Sequence, residues 1–150
     1  MKYFSVPLCI ILSISFEACV SPVAFFKDIP ISEGQKVNFL TDIEKATVAT
    51  RQILTAHDFS VKEDTKLPNG THCIIAEHIS TNIIESKDPY PSGLIRVLID
   101  ARAGDSAQVN VYFKPGLRKD LKEKIAKETE RATRRFFMDL EKRLPHLVKN

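Results

Sequence analysis

The sequence predicts an α+β fold: one helix, a four-stranded antiparallel sheet and a long C-terminal helix, with both helices packed on one face of the sheet. Three observations carry this expectation. Apolar residues recur at helical spacing over 41–57 and again over 117–144, while four short runs between them alternate apolar and polar residues. Turn residues separate the runs, and links that short favour antiparallel neighbours. An amphipathic helix must bury its apolar stripe, and the sheet is the surface available to it.

The first helix starts near Thr41, where Thr41-x-x-Glu44 has the form of a capping box. Ile43, Ala46, Thr50, Ile53, Leu54 and His57 then follow at mostly three- and four-residue steps, and Asp58 takes the turn position at the helix end. Phe59 to Glu63 alternates and reads as the first strand. Leu67-Pro68-Asn69-Gly70 supplies the turn, because Asn-Gly readily takes positive φ. His72 to Ile79 is the second strand, more apolar and more buried. A loop over 81–93 leads to the third strand, Leu94 to Ala101, with Ile95, Val97 and Ile99 on one face and Arg96 and Asp100 on the other. After the Gly104-Asp105 turn, Gln108 to Phe113 is the fourth.

Lys114-Pro115-Gly116 resets the chain for the last helix. Leu117, Leu121, Ile125, Thr129, Ala132, Phe136, Leu140 and Leu144 form the clearest stripe in the chain, Thr133 and Phe137 widen it, and Pro145 stops it. At that length the helix would run roughly 40 Å. Glu123–Lys127, Glu130–Arg134 and Asp139–Arg143 are expected as i,i+4 pairs on its solvent side.

The first nineteen residues have a different character. Lys2, a mostly apolar run from Tyr3 to Phe16 broken by Ser5, Pro7, Ser13 and Ser15, and a terminal Glu17-Ala18-Cys19 have the layout of a secretory signal, and the run is short for a bilayer-spanning helix. Phe16-Glu17-Ala18-Cys19 resembles the lipobox of bacterial lipoproteins, in which a small residue precedes a cysteine that is lipidated and becomes the mature N-terminus. Ala18 fits that pattern, whereas Phe16 stands where the family usually has Leu or another aliphatic residue. Ordinary cleavage after Ala18 and an uncleaved N-terminal anchor are the alternatives. With its compact α+β domain, the chain resembles small bacterial envelope lipoproteins. Its element order is also similar, more loosely, to helix-grip domains of accessory lipoproteins in outer-membrane assembly, a likeness that implies no site. The resemblance implies a signal peptide over 1–18, a lipidated Cys19 with a tether over 19–37, and one domain over 38–150. It implies a location in the bacterial cell envelope, anchored by lipid to the periplasmic side of the outer membrane, with secretion as the alternative. The tether, broken by Ser21-Pro22, Ile29-Pro30 and Ser32-Glu33-Gly34, would hold the domain off the membrane. Phe25 and Phe26 are its residues able to dock on the domain.

Removing 1–18 leaves Cys73 as the only cysteine of the folded part, so stability must come from a core and not from internal disulfides. The net charge of +3 is mild and does not by itself call for nucleic acid. Residues 117–144 concentrate that charge, with ten basic residues against six acids. This makes Arg131, Arg134 and Arg135 candidate contacts for a partner, against the plainer account of a solvated helix face. Tyr90, between Pro89 and Pro91 in the 81–93 loop, is the other candidate contact, since flanking prolines lower the entropy lost on binding.

Catalytic chemistry has little support. His72 and His78 share a strand face but stand roughly 20 Å apart, too far to share one metal. Cys73 and Glu77 point the other way, and Arg96 and Asp100 are expected in ion pairs with each other or with neighbours. No Gly-x-Ser-x-Gly, His-Glu-x-x-His or phosphate loop occurs. Asn69-Gly70-Thr71 matches a glycosylation sequon, meaningful only in a secretory eukaryote. The expectation is a non-enzymatic envelope lipoprotein that needs no metal or cofactor, contacts the membrane through its lipid and binds another envelope component. The alternative is a secreted domain holding a small apolar ligand between the sheet and the long helix.

Overall fold

The computed structural model describes residues 21–79, 90–116 and 122–145. The elements in chain order are α1 (Pro22–Lys27), β1 (Gln35–Phe39), α2 (Ile43–Ala56), β2 (Ser60–Lys66), β3 (His72–His78), β4 (Gly93–Arg102), β5 (Ser106–Pro115) and α3 (Lys122–Glu141). The α+β class holds, with an antiparallel sheet of five strands in place of four, in the order β1-β5-β4-β3-β2. The four expected strands form a meander. The fifth, β1, lies against β5 with Val37 opposite Val109 and Phe39 opposite Ala107.

Both long helices cover one face of the sheet, as the stripes require. Ala46, Ala49, Ile53 and Leu54 of α2 and Ala132, Phe136, Phe137 and Leu140 of α3 meet Ile74, Ile95, Val97, Val109 and Phe113 in the main core. α2 starts one residue later than a Thr41 cap would allow. Asp42 is the N-cap, its carboxylate accepting the Lys45 amide at 2.8 Å, while Thr41 is buried. At the other end Asp58 does take the left-handed turn, with φ +57°. A side chain there costs about 1 kcal/mol, which glycine avoids at the expense of chain entropy. Asp58→Gly should therefore raise stability by about 0.5 kcal/mol; a urea midpoint that stays put or falls would contradict this account of the turn. Leu117 and Leu121 of the expected last helix lie outside the described residues. Beyond Glu141 the chain turns, and Leu144 still joins the core.

The described part of the stretch expected to be a tether, residues 21–37, packs on the domain. Ser21 caps α1, accepting the Ala24 amide at 3.2 Å, and Phe26 is buried on the sheet face opposite the long helices. There it meets Cys73, Ile75 and Leu98, with Phe25, Ile29, Leu94 and Tyr112 at the margin, in a second apolar cluster. The sheet is thus a middle layer, coated on both faces. Gly34, at φ +116°, lets the chain pass into β1, where a Cβ would fall 2.7 Å from the Val111 carbonyl oxygen. The corrected boundary puts 22–39 with the domain, and no free tether of the length first expected separates it from residue 21.

Candidate functional site

Two polar constellations lie inside this fold, and neither follows from the motif search. The first is built on Arg96, in the middle of β4, whose side chain is only 4% exposed. Strand alternation turns it toward α1, opposite Ile75 of β3 and Tyr112 of β5. Its guanidinium donates to the carbonyl oxygens of Ile29 at 2.8 Å and Pro30 at 2.9 Å, and more distantly to Phe26 at 3.4 Å and Glu33 at 3.5 Å. The Phe26 and Tyr112 rings lie 5.5 and 5.7 Å from its Cζ. Burial pushes its pKa below the usual arginine value, outweighing the opposing influence of the nearby Cys73, Tyr112 and Glu33. Arg96 thus fastens the 26–33 segment to the sheet. The expected ion pairing fails here because the carbonyls take its Nη1 and Nη2 groups, with the buried Nε left without a hydrogen-bond partner, while Asp100 accepts the Thr71 hydroxyl.

The second constellation centres on Asp139, 3% exposed on the inner side of α3. Its carboxylate accepts the Tyr90 hydroxyl at 3.0 Å, with His57 Nε2 at 3.3 Å, Arg135 Nε at 3.2 Å and Lys142 Nζ at 3.4 Å. Burial alone would raise the Asp139 pKa; the Tyr90 hydrogen bond and the Arg135 charge outweigh it and hold the carboxyl below its ordinary value. Burial first, and the Asp139 charge second, raise the Tyr90 hydroxyl far above its ordinary range. Tyr90 also packs edge-on against His57 and Phe59, at 4.8 and 5.3 Å between ring centres. The cluster ties the end of α2, the approach to β4 and the end of α3 together. A hydroxyl that donates to a buried carboxylate and resists ionisation is a poor nucleophile, so its chemistry is that of a clasp.

The residues singled out from sequence are dispersed. Tyr90 is 1% exposed, and its phenol is engaged with Asp139, so it is not the surface contact expected of it. Its flanking loop positions 81–89 and the lipidation residue Cys19 lie outside the described residues. Arg135 turns inward to Asp139, whereas Arg131 is exposed and paired with Glu128 at 3.0 Å. Arg134 is exposed and lines a groove with Gln35, Glu130, Phe137, Met138 and Glu141. Lys127 pairs with Glu123 at 2.9 Å as the spacing required. Asp139, by contrast, is not on the solvent side, and Arg143 donates to its backbone carbonyl oxygen at 3.1 Å.

His72 and His78 each have a partner of their own: Asp64 Oδ1 at 2.5 Å for the first and the Pro91 carbonyl at 3.2 Å for the second. Asp64 also receives Arg51 at 2.6 Å, and chiefly through that bond its pKa falls to about 2. Cys73 is buried in the second cluster, which together with the nearby Glu63 charge lifts its thiol to about 11. Among the described residues, no group of three or more His, Cys, Asp or Glu side chains is placed to hold a metal, and no helix is long and apolar enough to cross a membrane.

A signal did exist for each missed constellation. Asp139 interrupts the apolar stripe between Phe136 and Leu140, and a carboxylate in that position needs buried donors. His72 to His78 is apolar at nearly every interior position, the pattern of a strand covered on both faces. That pattern implied a cover over Arg96. No model of a known protein family matches the chain, and no curated protein sequence matches it.

Proposed function

We propose that this chain is a non-enzymatic envelope lipoprotein, anchored through Cys19, whose domain binds another envelope component. The observation that carries the reading is the export-type segment ending in Ala18-Cys19, followed after one residue by the capped start of a folded domain. The polar groups that converge in the domain support a binding role, because they are spent on holding elements together. Arg96 engages backbone carbonyls, and Tyr90, His57 and Asp139 engage one another. The groove beside α3, where Phe137 and the exposed Met138 lie among Arg134, Glu130 and Glu141, is the surface offered to an apolar segment of the partner. A small apolar ligand between sheet and α3 would need space where Phe113, Phe136 and Leu140 already pack.

Mass spectrometry of the mature N-terminus, taken from native membranes, tests the anchor. The expected species begins at Cys19 with a diacylglyceryl thioether and an acylated amine, and Cys19→Ser should move the protein out of the membrane fraction. A free, unmodified N-terminus beyond Ala18, or a Cys19→Ser protein still fully membrane-bound, defeats the reading.

A further inference from the structure

We infer that one end of the sheet, where β3 finishes, β4 begins and β5 ends, rests directly on the phospholipid bilayer surface. The inference depends on lipidation at Cys19 and says which surface that anchor brings to the membrane. Its basis is the short distance between the anchor and a rigid point of the domain. Ser21 caps α1 through the Ala24 amide and its carbonyl accepts the Phe25 amide at 3.0 Å, so the chain is already fixed there. One residue, Val20, separates Ser21 from Cys19, and even fully extended the two Cα–Cα steps reach only about 7 Å. A lipid on Cys19 therefore holds α1 at the headgroups.

α1 cannot swing away from the sheet without breaking the Arg96 fastening and exposing Phe26. Position is thus transmitted from the anchor to the domain. Pro22, the first residue of α1, lines a shallow depression of about 270 Å³ together with Glu77, Ile79, Leu94, Lys114 and Pro115. These residues share one end of the sheet, since His78 is opposite Gly93 and Gly93 is opposite Pro115. The chemistry there suits a headgroup layer. Ile79 is 71% exposed, a large apolar side chain able to enter the acyl boundary. The Lys114 ammonium sits 3.9 Å above the Phe25 ring, exposed and within reach of lipid phosphates. Among the described residues lining the depression, the one acid is Glu77, offset by Lys62 at 3.4 Å.

The opposite end of the sheet provides an internal control. β4 runs ten residues from Gly93 to Arg102, so the turn at Ala103 and Gly104 lies roughly 30 Å away. The test uses the full chain, lipidated in its host and reconstituted into vesicles of phosphatidylethanolamine and phosphatidylglycerol. Ile79→Cys and Ala103→Cys variants carry an environment-sensitive fluorophore, and nitroxide-bearing phospholipids act as the quencher; the buried Cys73 thiol stays unlabelled. The label at 79 should shift to the blue and lose most of its emission, while that at 103 keeps the emission it has in water. Equal quenching at both positions, or none at either in protein shown by mass to be lipidated, overturns the proposed orientation. Unlipidated protein would overturn the anchor itself, and the mass spectrum reveals that separately and first.

Discussion

Arg96→Met is expected to remove about 3 kcal/mol of stability and to open the 26–33 segment to proteases. Methionine replaces most of the aliphatic stem, so the loss falls on the guanidinium. Its N–H groups satisfy the carbonyls of Ile29 and Pro30 at hydrogen-bonding distance, with Phe26 and Glu33 close by. A buried acceptor left unpaired costs about 1–3 kcal/mol, and each stacked ring adds about 0.5–1 kcal/mol. Water can reach some of these carbonyls, since Pro30 and Glu33 are exposed. The cation also carries a desolvation cost, visible as its lowered pKa, that methionine relieves. These offsets keep the net below the sum. Urea unfolding followed by circular dichroism gives the stability, and limited proteolysis reports on the segment. Arg96→Lys should fall between the two, because one ammonium cannot span carbonyls spread from 26 to 33. An unchanged midpoint with an unchanged digestion pattern would show that the segment is held by Phe26 packing alone.

Asp139→Asn is expected to cost about 2–3 kcal/mol and to flatten the acid side of the stability profile. Arg135 and Lys142, with side chains 39% and 61% exposed, return little of the pairing energy. The loss comes from the buried Tyr90 hydroxyl and from His57, whose partner loses its charge. The carboxyl pKa is depressed by folding, so its contribution is fully present above the unfolded value of about 4. That contribution disappears as pH falls through the lower folded value. Wild-type stability should therefore drop on acidification below about pH 4, and the Asn variant should drop less steeply. Asp64, brought to about 2 chiefly by Arg51, leaves a residual slope of the same sign that Asp64→Asn removes. Parallel profiles for wild type and Asp139→Asn would mean the carboxylate is not preferentially ionised in the folded state.

The helices and the central strands are legible because each has one dry face. Phe136, Leu140 and Ala132 mark α3, and Ile95, Val97 and Ile99 mark β4, through periodicities that nothing else in the chain imitates. β1 is not legible in the same way. Gln35, Lys36 and Asn38 are exposed on an edge strand, and only Val37 and Phe39 alternate toward the core. Pro30 and Gly34 just before it look like tether residues until the sheet gives them carbonyl and backbone partners. Tyr90 failed for a related reason. A tyrosine between prolines reads as exposed, and what buries it is a carboxylate 49 residues later, a pairing that local pattern cannot report. The Asp139–Arg143 spacing concealed the same carboxylate, since an i,i+4 match offers a solvent-side explanation for a residue that faces inward.

The pairing of β1 with β5 has a consequence for how the molecule is made. A chain emerging N-terminus first presents residues 22–39 well before their partners exist. The Glu33 carbonyl waits 63 residues for Arg96, and the Ile31 carbonyl waits 79 for Asn110. Loops of that length close late, because the chain entropy must be spent before the contacts form. The first-made end thus becomes rigid only after β5 has been made. Docking of α1 onto the finished sheet then closes that interval, since the segment can settle only once β5 has been delivered.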